Sequence, residues 1–111
     1  MADYVPRKGE LITLTFDPQS GHEQRGRRPA LVVSNDLFNK HTGICIACPI
    51  TNTRREYPFH VEMPEDAGVT GVVMVEQVKS IDFRSRKARR LGRASAATLE
   101  EVLSILDACI Y

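Results

Sequence analysis

The chain has 111 residues, 42% of them hydrophobic, no tryptophan and a formal net charge of +1. That is the size of one modest domain, expected over residues 1–111, with no apolar run near the roughly 20 residues of a membrane-crossing helix. Residues 1–4 lack the basic and apolar pattern of a signal peptide, so the expected location is the cytoplasm.

Residues 10–16 alternate apolar and polar side chains and are rich in strand formers, which predicts a first strand. Asp17-Pro18 stops it, and a polar loop runs to Arg27. Residues 29–34 form a near-continuous aliphatic run, the pattern of a strand buried on both faces. Ser34 or Asn35 is placed to cap a short helix over residues 36–40, and residues 41–43 read as a turn. Residues 44–51 are the next strand, with Pro49 demoting its end to an edge, bulge or bend. A second polar loop over 52–58 leads to an alternating strand at 59–63. A turn region covers 65–71, and strands follow at 72–75 and 78–83.

The period then changes. Leu99, Val102, Leu103, Leu106 and Ile110 follow the i, i+3, i+4, i+7 spacing of one helix face. Thr98 with Glu101 matches a capping box, and Ser95 is a competing N-cap. Five to seven short strands followed by one helix predict a mainly β fold: a small, strongly bent antiparallel sheet, or partly open SH3-like barrel, with the helix covering an apolar face.

The three cysteines cannot all pair with one another. Cys45 and Cys48 form a single CxxC inside a strand, where positions i and i+3 point to opposite faces. They are expected to be buried structural residues, because a four-ligand zinc site needs more.

The small net charge conceals an uneven distribution. Residues 79–93 carry Lys79, Arg84, Arg86, Lys87, Arg89, Arg90 and Arg93 against the single acid Asp82. A solvated face is one reading of that stretch; a surface for a polyanion is the other.

The loop before the second strand holds the residues best suited to chemistry. Pro29 restricts Arg28 to extended geometry, so its guanidinium is aimed, and a guanidinium suits bidentate phosphate recognition. Arg25, Arg27 and Arg28 fall within four residues, more positive charge than Glu23 alone neutralises. Glu23 and His22 are candidates for proton transfer. Thr51, at the end of a strand beside a polar loop, offers a hydroxyl to a phosphate oxygen. The three histidines show no metal-ligand spacing and no carboxylate cluster suggests magnesium, so no metal and no cofactor is expected.

Several segments occur in a specific order: Gly9-Glu10, Phe16-Asp17-Pro18, Gly21-His22-Glu23-Gln24 and Arg28-Pro29-Ala30-Leu31-Val32-Val33-Ser34. Pro49-Ile50-Thr51, then Glu76-Gln77-Val78-Lys79-Ser80-Ile81-Asp82, and a C-terminal helix follow them. Over nearly its whole length the chain thereby resembles the MazF/PemK-type toxin endoribonucleases. The resemblance implies a plasmid-maintenance-toxin fold, a symmetric homodimer, and metal-independent cleavage of single-stranded RNA at short sequences. The 2′-hydroxyl attacks the adjacent phosphate, leaving 2′,3′-cyclic phosphate and 5′-hydroxyl ends. The family's arginine falls on Arg28, its threonine on Thr51 and its loop glutamate on Glu23. Arg25, Arg27, Gln77, Lys79, Arg84 and Arg86 are then expected to hold RNA. An antitoxin with a disordered acidic tail would restrain the toxin.

Two positions depart from the family. His22 stands where relatives commonly carry Ser, and Arg27 where some carry His, which leaves the proton acceptor open between Glu23 and His22. Two other readings compete: a toxin of the same fold that poisons DNA gyrase by binding, and a non-catalytic nucleic-acid module. Neither accounts for Glu23, Arg28 and Thr51 together.

Overall fold

The computed structural model describes residues 3–15 and 27–111. Its frame is three antiparallel strands whose apolar side chains alternate between two cores: β1 (Glu10–Thr15), β2 (Arg27–Val32) and β3 (Ile44–Thr51). Leu11, Leu31, Cys48 and Ile50 point to one core, and Ile12, Leu14, Ala30, Val32, Cys45 and Ala47 to the other. This period of two on a sheet buried on both sides explains why β2 and β3 read as continuous aliphatic runs. Cys45 and Cys48 are fully buried on opposite faces, as their spacing predicts.

Four shorter strands complete the sheet: β4 (His60–Glu62), β5 (Val72–Met74), β6 (Lys79–Asp82) and β7 (Arg89–Arg93). The order is β4-β5-β3-β2-β1-β7, with β6 also pairing β3. The end strands β4 and β7 do not pair with each other, so the sheet stays open. The fold is mainly β with a C-terminal helix, as expected from the sequence.

β7 is a strand that the pattern did not announce. Its sequence is polar and it is largely exposed, yet it pairs with the free edge of β1 across a register shift at Leu11/Ile12. A charged strand at a sheet edge is disfavoured as a template for further pairing, which offsets its poor apolar content.

Two helices close the structure. In α1 (Asp36–Thr42) the N-cap is Asn35, whose side chain accepts the Phe38 N–H at 2.8 Å, and Gly43 ends the helix in the left-handed conformation. Buried Asn39 donates to the Pro6 carbonyl at 2.8 Å and ties the N-terminal segment down. α2 (Ala96–Ile110) starts at Ser95, whose hydroxyl accepts the Thr98 N–H at 3.1 Å. Thr98 lies inside the first turn, so the helix begins three residues before the Thr98/Glu101 alternative. Val102 is fully buried, and Leu99, Leu103 and Leu106 pack beside it on the first core.

Glu10 fastens the N-terminal segment to β7. It is 6% exposed, and it accepts from the Tyr4 hydroxyl at 2.6 Å, the Arg7 N–H at 2.8 Å and the Arg90 guanidinium at 2.8 Å. Burial alone would raise its pKa, but these hydrogen bonds and the Arg90 charge outweigh it, and the pKa lies below the usual carboxylate value.

Candidate functional site

The β2–β3 ladder runs Val32↔Ala47, Leu31↔Cys48, Ala30↔Pro49. The ladder ends there; continued by two residues, the same register would set Arg28 of β2 opposite Thr51 of β3. Both share the face of Ala30 and Pro49, because side chains two apart on a strand point the same way. Arg28 is exposed, and no carboxylate among the described residues pairs with it. The Thr51 hydroxyl oxygen accepts the Thr53 N–H at 3.1 Å, which leaves its own O–H available to donate.

Gly71 lets the chain pass close to Thr51. It has φ +118°, and a Cβ there would collide with the Thr51 carbonyl oxygen. Only glycine meets both conditions cheaply.

Thr51 opens onto a groove of about 360 Å³ that also includes Tyr57, His60, Glu76 and Gln77. The placing of Glu76 and Gln77 follows from register. β6 and β5 lie in succession along one side of β3, with pairs Ala47↔Lys79 and Ile50↔Val73. Three steps on β3 thus face six on the opposing chain. The surplus folds as a 3₁₀ turn, Val75–Gln77, which carries Glu76 and Gln77 out of the ladder and into the groove.

The groove also contains a pair that sequence reasoning missed. His60 Nε2 lies 3.0 Å from Glu76 Oε2, with side chains 5% and 26% exposed. The Tyr57 ring packs against His60 at 5.1 Å between centroids. His60 Nδ1 is buried without a hydrogen-bond partner among the described residues. A proton on Nδ1 would be stranded, so the neutral ring carries its proton on Nε2 and donates to Glu76. From sequence, His60 is one residue of an alternating strand. Only the β4–β5 pairing, His60↔Met74, brings it next to the 3₁₀ turn.

The basic residues divide into different roles. Arg27 donates to the Thr13 carbonyl at 3.0 Å and the Lys87 carbonyl at 2.8 Å, so its guanidinium clamps β2 to its neighbours. Arg86 donates to the Thr15 carbonyl at 3.2 Å. Arg84 forms an exposed ion pair with Asp3 at 3.1 Å. Lys79 is exposed on β6, and Gln77 shares the groove with Thr51. His22, Glu23 and Arg25 lie outside the described residues. Among the described residues, no group of three or more His, Cys, Asp or Glu could hold a metal ion.

Residues 7–110 match the family model of the PemK-like, MazF-like toxins of type II toxin–antitoxin systems. The chain belongs to this family. It is 38% identical over 107 residues to the endoribonuclease toxin MazF of Escherichia coli K12, covering 96% of each chain. The crystal structure of MazF from Deinococcus radiodurans superposes with a TM-score of 0.87 at 48% identity, covering 97% of this chain and 98% of that one. A MazE–MazF complex from the same organism gives 0.86 at 42% identity, covering 97% of both. The open seven-stranded sheet with its C-terminal helix is thus the MazF architecture. No helix among the described residues is long and apolar enough to cross a membrane.

Proposed function

We propose that this chain is the endoribonuclease toxin of a toxin–antitoxin pair, cutting single-stranded RNA at short sequences without a metal ion. The observation that supports the reading is the β2–β3 register: continued two residues beyond Ala30↔Pro49 it would set Arg28 opposite Thr51, which lines a groove. Two donors carried on neighbouring strands suit a phosphodiester whose phosphorus gains negative charge.

In the proposed reaction the 2′-hydroxyl loses its proton to Glu23 or His22 and its oxygen bonds to phosphorus. Arg28 directs N–H groups at the non-bridging oxygens and Thr51 donates a further hydrogen bond. Arg28 remains charged throughout, so its role is stabilisation rather than proton abstraction. The bond to the 5′-oxygen breaks, and that oxygen takes up a proton. The products are a 2′,3′-cyclic phosphate and a 5′-hydroxyl. DNA lacks the attacking group, so it binds without being cut.

Residues 1–111 act as one toxin domain in the cytoplasm, and the working form is a homodimer. Lys79, Arg84 and Arg86, together with Arg25, contribute positive charge along the RNA path. A cognate antitoxin with an acidic disordered tail covers that path, in keeping with the MazE–MazF complexes of the D. radiodurans relative.

The test is incubation of the purified protein with a long single-stranded RNA and its DNA equivalent in EDTA, followed by end-group analysis. Cyclic-phosphate ends at recurrent short sites, on RNA alone, are expected. Intact RNA, or cleavage that appears only on adding a divalent ion, would overturn the reading.

A further inference from the structure

The β2–β3 ladder stops at Ala30↔Pro49, although both strands run on. The Val33 N–H donates to the Ile46 carbonyl at 2.8 Å, so the backbone of Val33 faces β3. Backbone groups alternate sides along a strand, so those of Leu31 and Pro29 face β3 as well. The register sets Leu31 against Cys48 and, two residues on, would set Pro29 against Ile50. Proline has no N–H to donate, and the Ile50 carbonyl lacks its β2 donor. Beyond this point each strand is paired on its far side: β2 with β1 as far as Thr15↔Arg27, and β3 with β5 through Thr51↔Val72. Pro49 acts likewise on the other side of β3, where the ladder with β6 stops at Ala47↔Lys79, short of the 3₁₀ turn.

We propose that Pro29 is a positioning residue for the phosphate site: by withholding one N–H it parts the ends of β2 and β3, and the phosphodiester enters between them, against Arg28 and Thr51. This rests on the ribonuclease reading above. In a closed ladder Arg28 and Thr51 would form a non-hydrogen-bonded pair, with Cα atoms about 4.5 Å apart and side chains in contact. The Arg28 stem would then pack on Thr51, and the guanidinium and the hydroxyl would have no room to hold one phosphate between them. Parted strand ends leave that room, while pairing with β1 and β5 holds each lip in place. Pro29 itself touches neither RNA nor the reacting atoms.

The test uses the full chain as Pro29→Ala and, by chemical synthesis, with N-methylalanine at the same position. Alanine restores the N–H; N-methylalanine withholds it without the ring. In Pro29→Ala the new amide should be protected from hydrogen exchange. Its melting temperature should stay close to wild type, because the restored hydrogen bond offsets the added freedom of the unfolded chain. Single-turnover cleavage at saturating protein should slow roughly 10- to 100-fold, the scale of a misplaced contact, at unchanged cut sites. The N-methylalanine chain should cleave near the wild-type rate. A proline needed only for stability would lower melting temperature and rate together in both variants, and that result would overturn the proposal. So would a protected amide with cleavage within about twofold of wild type, or a position-29 amide that exchanges freely. A wild type that cuts no RNA would instead refute the ribonuclease reading, and this inference with it.

Discussion

Thr51→Val separates the chemistry of the site from its structure. The substitution keeps the branched shape and removes the hydroxyl. Structurally, the loss is one acceptor for the Thr53 N–H, an exposed contact of 3.1 Å that water can replace. That costs about 0.5–1.5 kcal/mol at most, a shift in melting temperature of roughly 4–8 °C per kcal/mol for a domain of this size. On the proposed mechanism, the catalytic loss is a donor to developing charge, for which about 3–4 kcal/mol, or a 10²–10³-fold drop in rate, is expected. Thr51→Ser retains the hydroxyl and should keep most of the activity. The assay is single-turnover cleavage of a short fluorescent RNA at saturating protein, beside a thermal melt of each variant. A Val variant within about fivefold of wild type, well short of the loss of one such donor, would refute the assignment. So would Val and Ser variants that fall alike.

Three further predictions concern the fold around the site. Because the Glu10 pKa is depressed in the folded state, its contribution is present above the unfolded carboxylate value and lost as pH falls through the folded one. Glu10→Gln should therefore be destabilised by about 1–3 kcal/mol at pH 7 and show a shallower acid unfolding curve than wild type; parallel curves would contradict this. Gly71→Ala should lose about 1–3 kcal/mol in a melt and lower cleavage as well, because the added methyl displaces the Thr51 backbone; wild-type stability would refute the close approach. Burial pushes the Cys45 and Cys48 thiols up to about 12, whereas Cys109 is exposed. A thiol reagent should label Cys109 alone in the folded protein and all three cysteines in denaturant, as read by mass spectrometry.

The parts of the structure that follow local rules were legible in the sequence. Strand period gave β1 to β3, and helical period with capping residues gave α2 and offered Ser95 as its start. The i, i+3 spacing of Cys45 and Cys48 foretold their opposite faces. What depends on pairing was not legible. β7 is a strand because β1 has a free edge, not because Arg-Arg-Leu-Gly-Arg favours one. The three surplus residues that turn Glu76 and Gln77 into the groove appear only when β5 and β6 are both set against β3. The His60–Glu76 pair depends on that same register. Arg27 and Arg28 differ for a reason the sequence already held: neighbours on a strand face opposite ways. Arg27 clamps two carbonyls while Arg28 stays exposed.

The most direct test of the account is single-turnover RNA cleavage by Arg28→Ala, measured beside its melting curve. Arg28 is exposed and no carboxylate among the described residues pairs with it, so stability should stay within about 0.5 kcal/mol of wild type. Cleavage should fall by at least about 100-fold, the scale of one lost donor to developing charge. Cleavage near the wild-type rate, at the same sites and with the same ends, would contradict the claim that Arg28 and Thr51 together form the phosphate site.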